Sequence, residues 1–236
     1  NGATATPPAF SSPQTPASNI TYTWTNNDPT IGLPASGSGN LPTFTATNPG
    51  TIALIANITV TPFYNGCPGT PYSLYTIRVN PTPTVNIVAN QEVCRDANTT
   101  TITFSGTVAG TTYSWVNSNT AIGLGANGTG TSINSFTTQN TGNTPLVATI
   151  TVTPIANGCS GTPTTFTITV NPRPTINAIS NIANVCNGAT IPEIVFSGNN
   201  VAGVVYNWTN SNPTIGIPAS GSGDIPTFTA INTGTG

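Results

Sequence analysis

Residues 146–170 read LVATITVTPIANGCSGTPTTFTITV. Leu146, Ala148, Ile150 and Val152 alternate with Val147, Thr149, Thr151 and Thr153. Asn, Gly and Pro then punctuate the stretch IANGCSGTP, after which Phe166, Ile168 and Val170 alternate with Thr165, Thr167 and Thr169. A period of two marks a strand, and two such runs joined by turn residues mark an antiparallel hairpin. One face is apolar. The other is coated with threonine, which is β-branched and polar and so suits an exposed strand surface.

The same hairpin stands earlier in the chain. Leu54, Ala56, Ile58 and Val60 lead to the turn YNGCPGTP, followed by Tyr75, Ile77 and Val79. The recurrence extends over the whole chain. Trp24, Trp115 and Trp208 are 91 and 93 residues apart, and Cys67 and Cys159, like Cys94 and Cys186, are 92 apart. Segment 24–48, WTNNDPTIGLPASGSGNLPTFTATN, matches segment 208–232, WTNSNPTIGIPASGSGDIPTFTAIN, at 19 of 25 positions. The middle copy, WVNSNTAIGLGANGTGTSINSFTTQN at 115–140, is looser. Tandem copies of one unit build length or valency.

Each copy carries Tyr-x-Trp (Tyr22/Trp24, Tyr113/Trp115, Tyr206/Trp208), two aromatics on one strand face. A shorter strand is expected before it, at 101–106 (TITFSG) or 191–198 (IPEIVFSG). Residues 178–186 are the one stretch that could turn helical, and no helix longer than a turn is expected. Short strands with frequent turn signals predict an all-β chain of tandem Ig-like antiparallel sandwiches. The divisions fall at the linkers VNPTPTV (79–85) and VNPRPTI (170–176). They give repeats at 1–81, lacking its first strand, at 82–172, complete, and at 173–236, stopping before its last two strands. By the repeat, the position before Asn1 is expected to hold a cysteine in a longer protein. Alternate prolines fix φ and favour extended geometry, so the repeats are expected to form a semi-rigid rod.

Composition excludes much chemistry. Charged residues are 3% of the chain, with no His, Lys or Met. No Ser-His-Asp set, His-ligated metal or Lys-derived Schiff base can be assembled. Three arginines cannot neutralise a phosphate backbone, which argues against nucleic acid. A net charge of −2 steers little. No apolar run reaches the length of a membrane span. No catalytic residue, cofactor or metal site is read from the sequence.

Tyr-x-Trp, Ile-Gly-Leu, Gly-Ser-Gly, Phe-Thr, Thr-Val-Thr-Pro, Asn-Gly-Cys-x-Gly and Val-Asn-Pro-x-Pro together resemble the PKD-like repeats of giant surface proteins of Bacteroidota. Those proteins are similar to gliding-motility adhesins and are typically exported by the type IX secretion system. The resemblance implies Ig-like sandwiches, an extracellular cell-surface location, and a structural or adhesive role without catalysis. It does not specify a ligand.

In an exported chain of this kind Cys67, Cys94, Cys159 and Cys186 read as structural disulfide cysteines. Two pairings stay open, beside free or intermolecular thiols. Cys94 with Cys159 would close one repeat, a 65-residue separation worth about 4 kcal/mol in the chain-entropy model. Strand arithmetic instead puts Cys159 at the end where the chain enters a repeat and Cys94 at the end where it leaves. A Cys94-type residue would then bond a Cys159-type residue of the following repeat.

Trp24, Trp115 and Trp208 are expected in the core, as for the strand-C tryptophan of Ig sandwiches, and not as sugar-stacking rings. The Gly-Ser-Gly stretches read as loops. Asp28 and Asp224 lack a neighbouring carboxylate for calcium. The function expected is a structural stalk, filament or adhesin, with a ligand- or carbohydrate-binding module as the alternative. Its partners are neighbouring repeats, laterally associated copies and a surface glycan or substratum, with no membrane insertion.

Overall fold

A computed structural model describes residues 1–13, 19–182 and 184–234. The chain is all-β, and its described helices include single 3-10 turns at Pro29–Ile31, Thr120–Ile122 and Pro213–Ile215. Residues 178–182 and 184–186 form no helix. No described helix is long and apolar enough to cross a membrane.

In the second repeat the 11-residue strand Leu146–Ala156 is central. It pairs antiparallel with Thr164–Asn171 on one side and Thr112–Asn117 on the other. The register sets Leu146 beside Val170, Ala148 beside Ile168 and Ile150 beside Phe166. The alternating apolar residues of both strands thus share one face. Asn127–Thr129 extends the sheet beyond Thr112–Asn117. Cys159–Ser160 folds back on Ile155 and Ala156. The opposite layer is the short pair Ile102–Thr103 and Ser132–Ile133. The core lies between, with Trp115, Ile150, Ile168 and Val170 facing Ile102, Phe104 and Ile133. Fully burying an aliphatic or aromatic side chain contributes about 1.5–3 kcal/mol, so this one cluster dominates the repeat's stability.

One strand pair departs from the antiparallel pattern. The sheet is not purely antiparallel, because Gln91–Cys94 pairs parallel to Thr164–Asn171. Both segments run from the leading end of the repeat, where the chain arrives from the linker, to the trailing end, where it departs. Two strands travelling the same way can only pair in parallel. The strand expected at 101–106 is shorter, Ile102–Thr103, and 191–198 contributes Ile191 to a two-residue strand and Ile194 to a single bridge with Ile225.

The first repeat builds the same sheet from Ile20–Asn26, Leu54–Tyr64 and Tyr72–Val79 around Trp24, Ile31, Leu33 and Ile58. The third holds the short strands Thr190–Ile191, Asn207–Thr209, Ser220–Ser222 and Phe228–Thr229. No described strand lies beside Asn207–Thr209 where Leu146–Ala156 lies beside Thr112–Asn117. Its inner face is an apolar hollow of ≈ 280 Å³ lined by Ile182, Val185, Ile191, Ile215 and Phe228.

Burial raises the Tyr113 hydroxyl pKa above its ordinary value of 10.0. A folded-state value raised in this way supports stability fully below the ordinary value and loses that support as pH rises through the folded one. Urea midpoints for the second repeat are therefore expected to fall as pH climbs above about 10. Tyr113→Phe should blunt that fall.

Candidate functional site at the joint between repeats

The joint begins at Asn80. Its Nδ2 donates to the backbone oxygen of Asn157 at 3.2 Å, which links the first repeat's exit to the hairpin turn of the second. Arg78 Nε donates to Asn80 Oδ1 at 3.0 Å, and the Asn1 amino group donates to Asn80 O at 3.1 Å. Asn80 thus has polar partners on both sides of the joint. Pro81 and Pro83 are buried. Beyond them Thr84 Oγ1 meets Thr107 Oγ1 at 3.0 Å, and Asn86 N donates to Ser105 O at 2.8 Å. The linker is fixed to the repeat it enters by hydrogen bonds and fixed in φ by its prolines.

Gly161 closes the joint from the hairpin side. A Cβ there would strike the carbonyl oxygen of Pro83 and stand 2.9 Å from both Pro83 C and Pro154 Cγ. Backbone and ring atoms cannot step aside cheaply. Gly161→Ala is expected to cost about 1–3 kcal/mol, the range for overpacking, and to loosen the first two repeats relative to each other. Limited proteolysis between residues 79 and 85 should become several-fold faster.

The second linker has a comparable anchor. Asn199 Nδ2 donates to Arg173 O at 3.0 Å, and Thr175 N donates to Asn199 Oδ1 at 3.1 Å. Arg173 also lies 3.5 Å from Asp96, beside the Arg95–Asp96 pair at 3.5 Å. These groups are solvent-exposed, so such pairs contribute little.

Trp24 and Trp115 are buried, and Trp208 is half-buried over the third repeat's open face. Each stands in register opposite a glycine: Gly37, Gly128 and Gly221. A Cβ on Gly128 would lie 2.7 Å from Trp115 Cε2, and the other two pairs are as tight. The first glycine of each Gly-x-Gly is therefore a strand residue under the indole, which corrects its reading as loop chemistry. Asp28 accepts from Thr30 N at 3.1 Å as a cap, and Asp224 accepts from Phe196 N at 2.7 Å. Among the described residues no group of three or more His, Cys, Asp or Glu could hold a metal ion.

The four cysteines are unpaired, Cys67, Cys94 and Cys186 exposed and Cys159 half-buried. Cys94 lies opposite Asn171 at the trailing end and Cys159 opposite Ala156 at the leading end. Val170, next to Asn171, pairs with Leu146. From the level of Leu146 to that of Ala156 is about 34 Å of strand, against the roughly 7 Å limit between disulfide Cα atoms. The pairing of Cys94 with Cys159 inside one repeat is overturned.

Two asparagine sets were not singled out by sequence reasoning. Asn140 is fully buried. Its Nδ2 donates to Thr144 O at 2.9 Å and Val170 O at 2.8 Å, and its Oδ1 accepts from Gly142 N at 2.9 Å. Asn48 does the same with Ile52, Val79 and Gly50. Asn26 and Asn117 tie the tryptophan strand to Leu33 O and Leu124 O. Their signal was present: Asn48, Asn140 and Asn232 recur every 92 residues.

The family described as PKD-like domain matches residues 91–174. The curated proteins give no match. Among solved structures, the chain resembles the FN1–FN3 domains of chicken CNTN1 at 12% identity and TM-score 0.30, covering 91% of this chain and 79% of that one. It also resembles human CDH23 EC21–23, at 11% identity, TM-score 0.39, and 91% and 79% coverage. Mouse Cadherin-23 EC22–24 gives 13% identity, TM-score 0.37, and 89% and 75% coverage.

Proposed function

We propose that the chain is a structural stretch of an extracellular surface filament, stalk or adhesin, whose tandem repeats form a semi-rigid rod and perform no catalysis. The divisions are 1–81, 82–172 and 173–236. The observation that carries this reading is the joint: Asn80 has bonding partners in both repeats, and the adjoining prolines are buried. Surface area supports it. The chain exposes 14102 Å² for 23.9 kDa, where a compact monomer of that mass exposes about 9,900 Å². Separate cores strung in a line, with one inner face uncovered, account for the excess. Near-absence of charge lets copies approach laterally without repulsion. The sequence resemblance extends the proposal to a Bacteroidota surface protein exported by type IX secretion. Small-angle scattering from the intact chain tests the rod, and secretion of the full-length protein in a type IX-deficient strain tests the route.

One observation favours a second reading, a carbohydrate-binding module. Phe10, Tyr22, Tyr72 and Tyr75 line an apolar hollow of ≈ 340 Å³ on the first repeat. Aromatic faces of this kind stack on sugar rings. Binding to a glycan array that Tyr72→Ala abolishes would favour it, and an array without signal would favour the rod alone.

A further inference from the structure

We infer that successive repeats are covalently stapled, with a cysteine at the Cys94 position of one repeat bonded to a cysteine at the Cys159 position of the next. The inference rests on the rod reading, because only a fixed joint holds two such positions together. Three observations carry it. The first is equivalence. Asn1 N donates to Asn80 O at 3.1 Å, as Arg95 N donates to Asn171 O at 2.9 Å. Asn1 therefore occupies the place of Arg95, and the position ahead of it is that of Cys94, against Asn80. The second is contact. Asn80 Nδ2 reaches Asn157 O across the joint at 3.2 Å, and Cys159 lies two residues further on, where the strand Cys159–Ser160 begins. The third is accessibility. Cys94 is exposed and Cys159 half-buried, each at an end of its repeat and outside the core cluster.

The Cys94 position of one repeat and the Cys159 position of the next thus flank one hydrogen-bonded asparagine, while the two cysteines of a single repeat stand about 34 Å apart. Bond formation is an exchange. One thiolate attacks a small-molecule disulfide such as oxidised glutathione, forming a mixed disulfide and releasing one thiol. The second thiolate then attacks the protein sulfur and expels the other glutathione thiol. Two electrons and two protons pass from the protein to the oxidant. The bond would carry load along the rod at the joint, beside the Asn80–Asn157 hydrogen bond and the proline linker.

The test is the full chain with one cysteine added ahead of Asn1, incubated in a reduced/oxidised glutathione buffer. The expected product is two hydrogens lighter, and peptide mapping joins the added cysteine to Cys159. Cys159→Ser should abolish that peptide, while tryptophan fluorescence shows that the fold persists. Mapping that finds only glutathione adducts, or the added cysteine bonded equally to Cys67, Cys94 and Cys186, overturns the inference. A chain that scatters as a rod yet does not cross-link defeats the staple alone, whereas a compact chain defeats the rod reading itself.

Discussion

Trp115→Ala is expected to destabilise the second repeat by about 3–5 kcal/mol, the range for removing a buried large aromatic. The indole stands at 9% exposure in the cluster with Ile150, Ile168 and Phe104. The glycine opposite makes the prediction sharper. Gly128→Ala puts a methyl group 2.7 Å from Trp115 Cε2 and 3.0 Å from Nε1. Its expected cost is about 1–3 kcal/mol, from forcing the ring off its seat. With Trp115→Phe in place the smaller ring leaves room, so Gly128→Ala should then cost far less. Urea unfolding of the four chains in that cycle measures the coupling. Strict additivity would mean that indole and glycine do not share the space the structure gives them.

Asn140→Ala is expected to cost about 1–3 kcal/mol, because it removes the side-chain partner of three backbone groups, of which Val170 O is buried. Thr144 O, Val170 O and Gly142 N each lose their side-chain partner, and an unsatisfied buried polar group costs about 1–3 kcal/mol. Asn140→Asp separates shape from chemistry. It preserves volume and the acceptor facing Gly142 N, but turns a carboxylate oxygen toward two carbonyls. At neutral pH it should be at least as damaging as alanine. Wild-type stability in the Asn140→Asp chain would contradict the assignment of Nδ2 as the donor.

The sandwich was legible because its dominant signal is periodic. Ile150 and Phe166, or Ala148 and Ile168, sit side by side as the alternation of 146–170 requires. The cysteines' opposite ends were legible too, since strand length alone separates Cys94 from Cys159. The parallel pairing of Gln91–Cys94 was not, because QEVC is too short and too polar to display a period. Gly128 and Asn140 were missed for a common reason. Glycine and asparagine read locally as turn residues, and only tertiary neighbours reveal that one lies under an indole and the other is buried between carbonyls. Period-spaced asparagines on a repeating chain are the signal that could have identified them.

If a fixed joint holds the repeats collinear, small-angle scattering of the intact 236-residue chain will show it. The first and second repeats are each about 37 Å long by their 11-residue strands, and with a third of similar length in line the chain would span about 100 Å, with a radius of gyration of roughly 30 Å. The distance distribution should be skewed, with a long tail and a linear cross-sectional Guinier region. A symmetric distribution with a radius of gyration of about 17–18 Å, that of a compact chain of this length, would contradict the account.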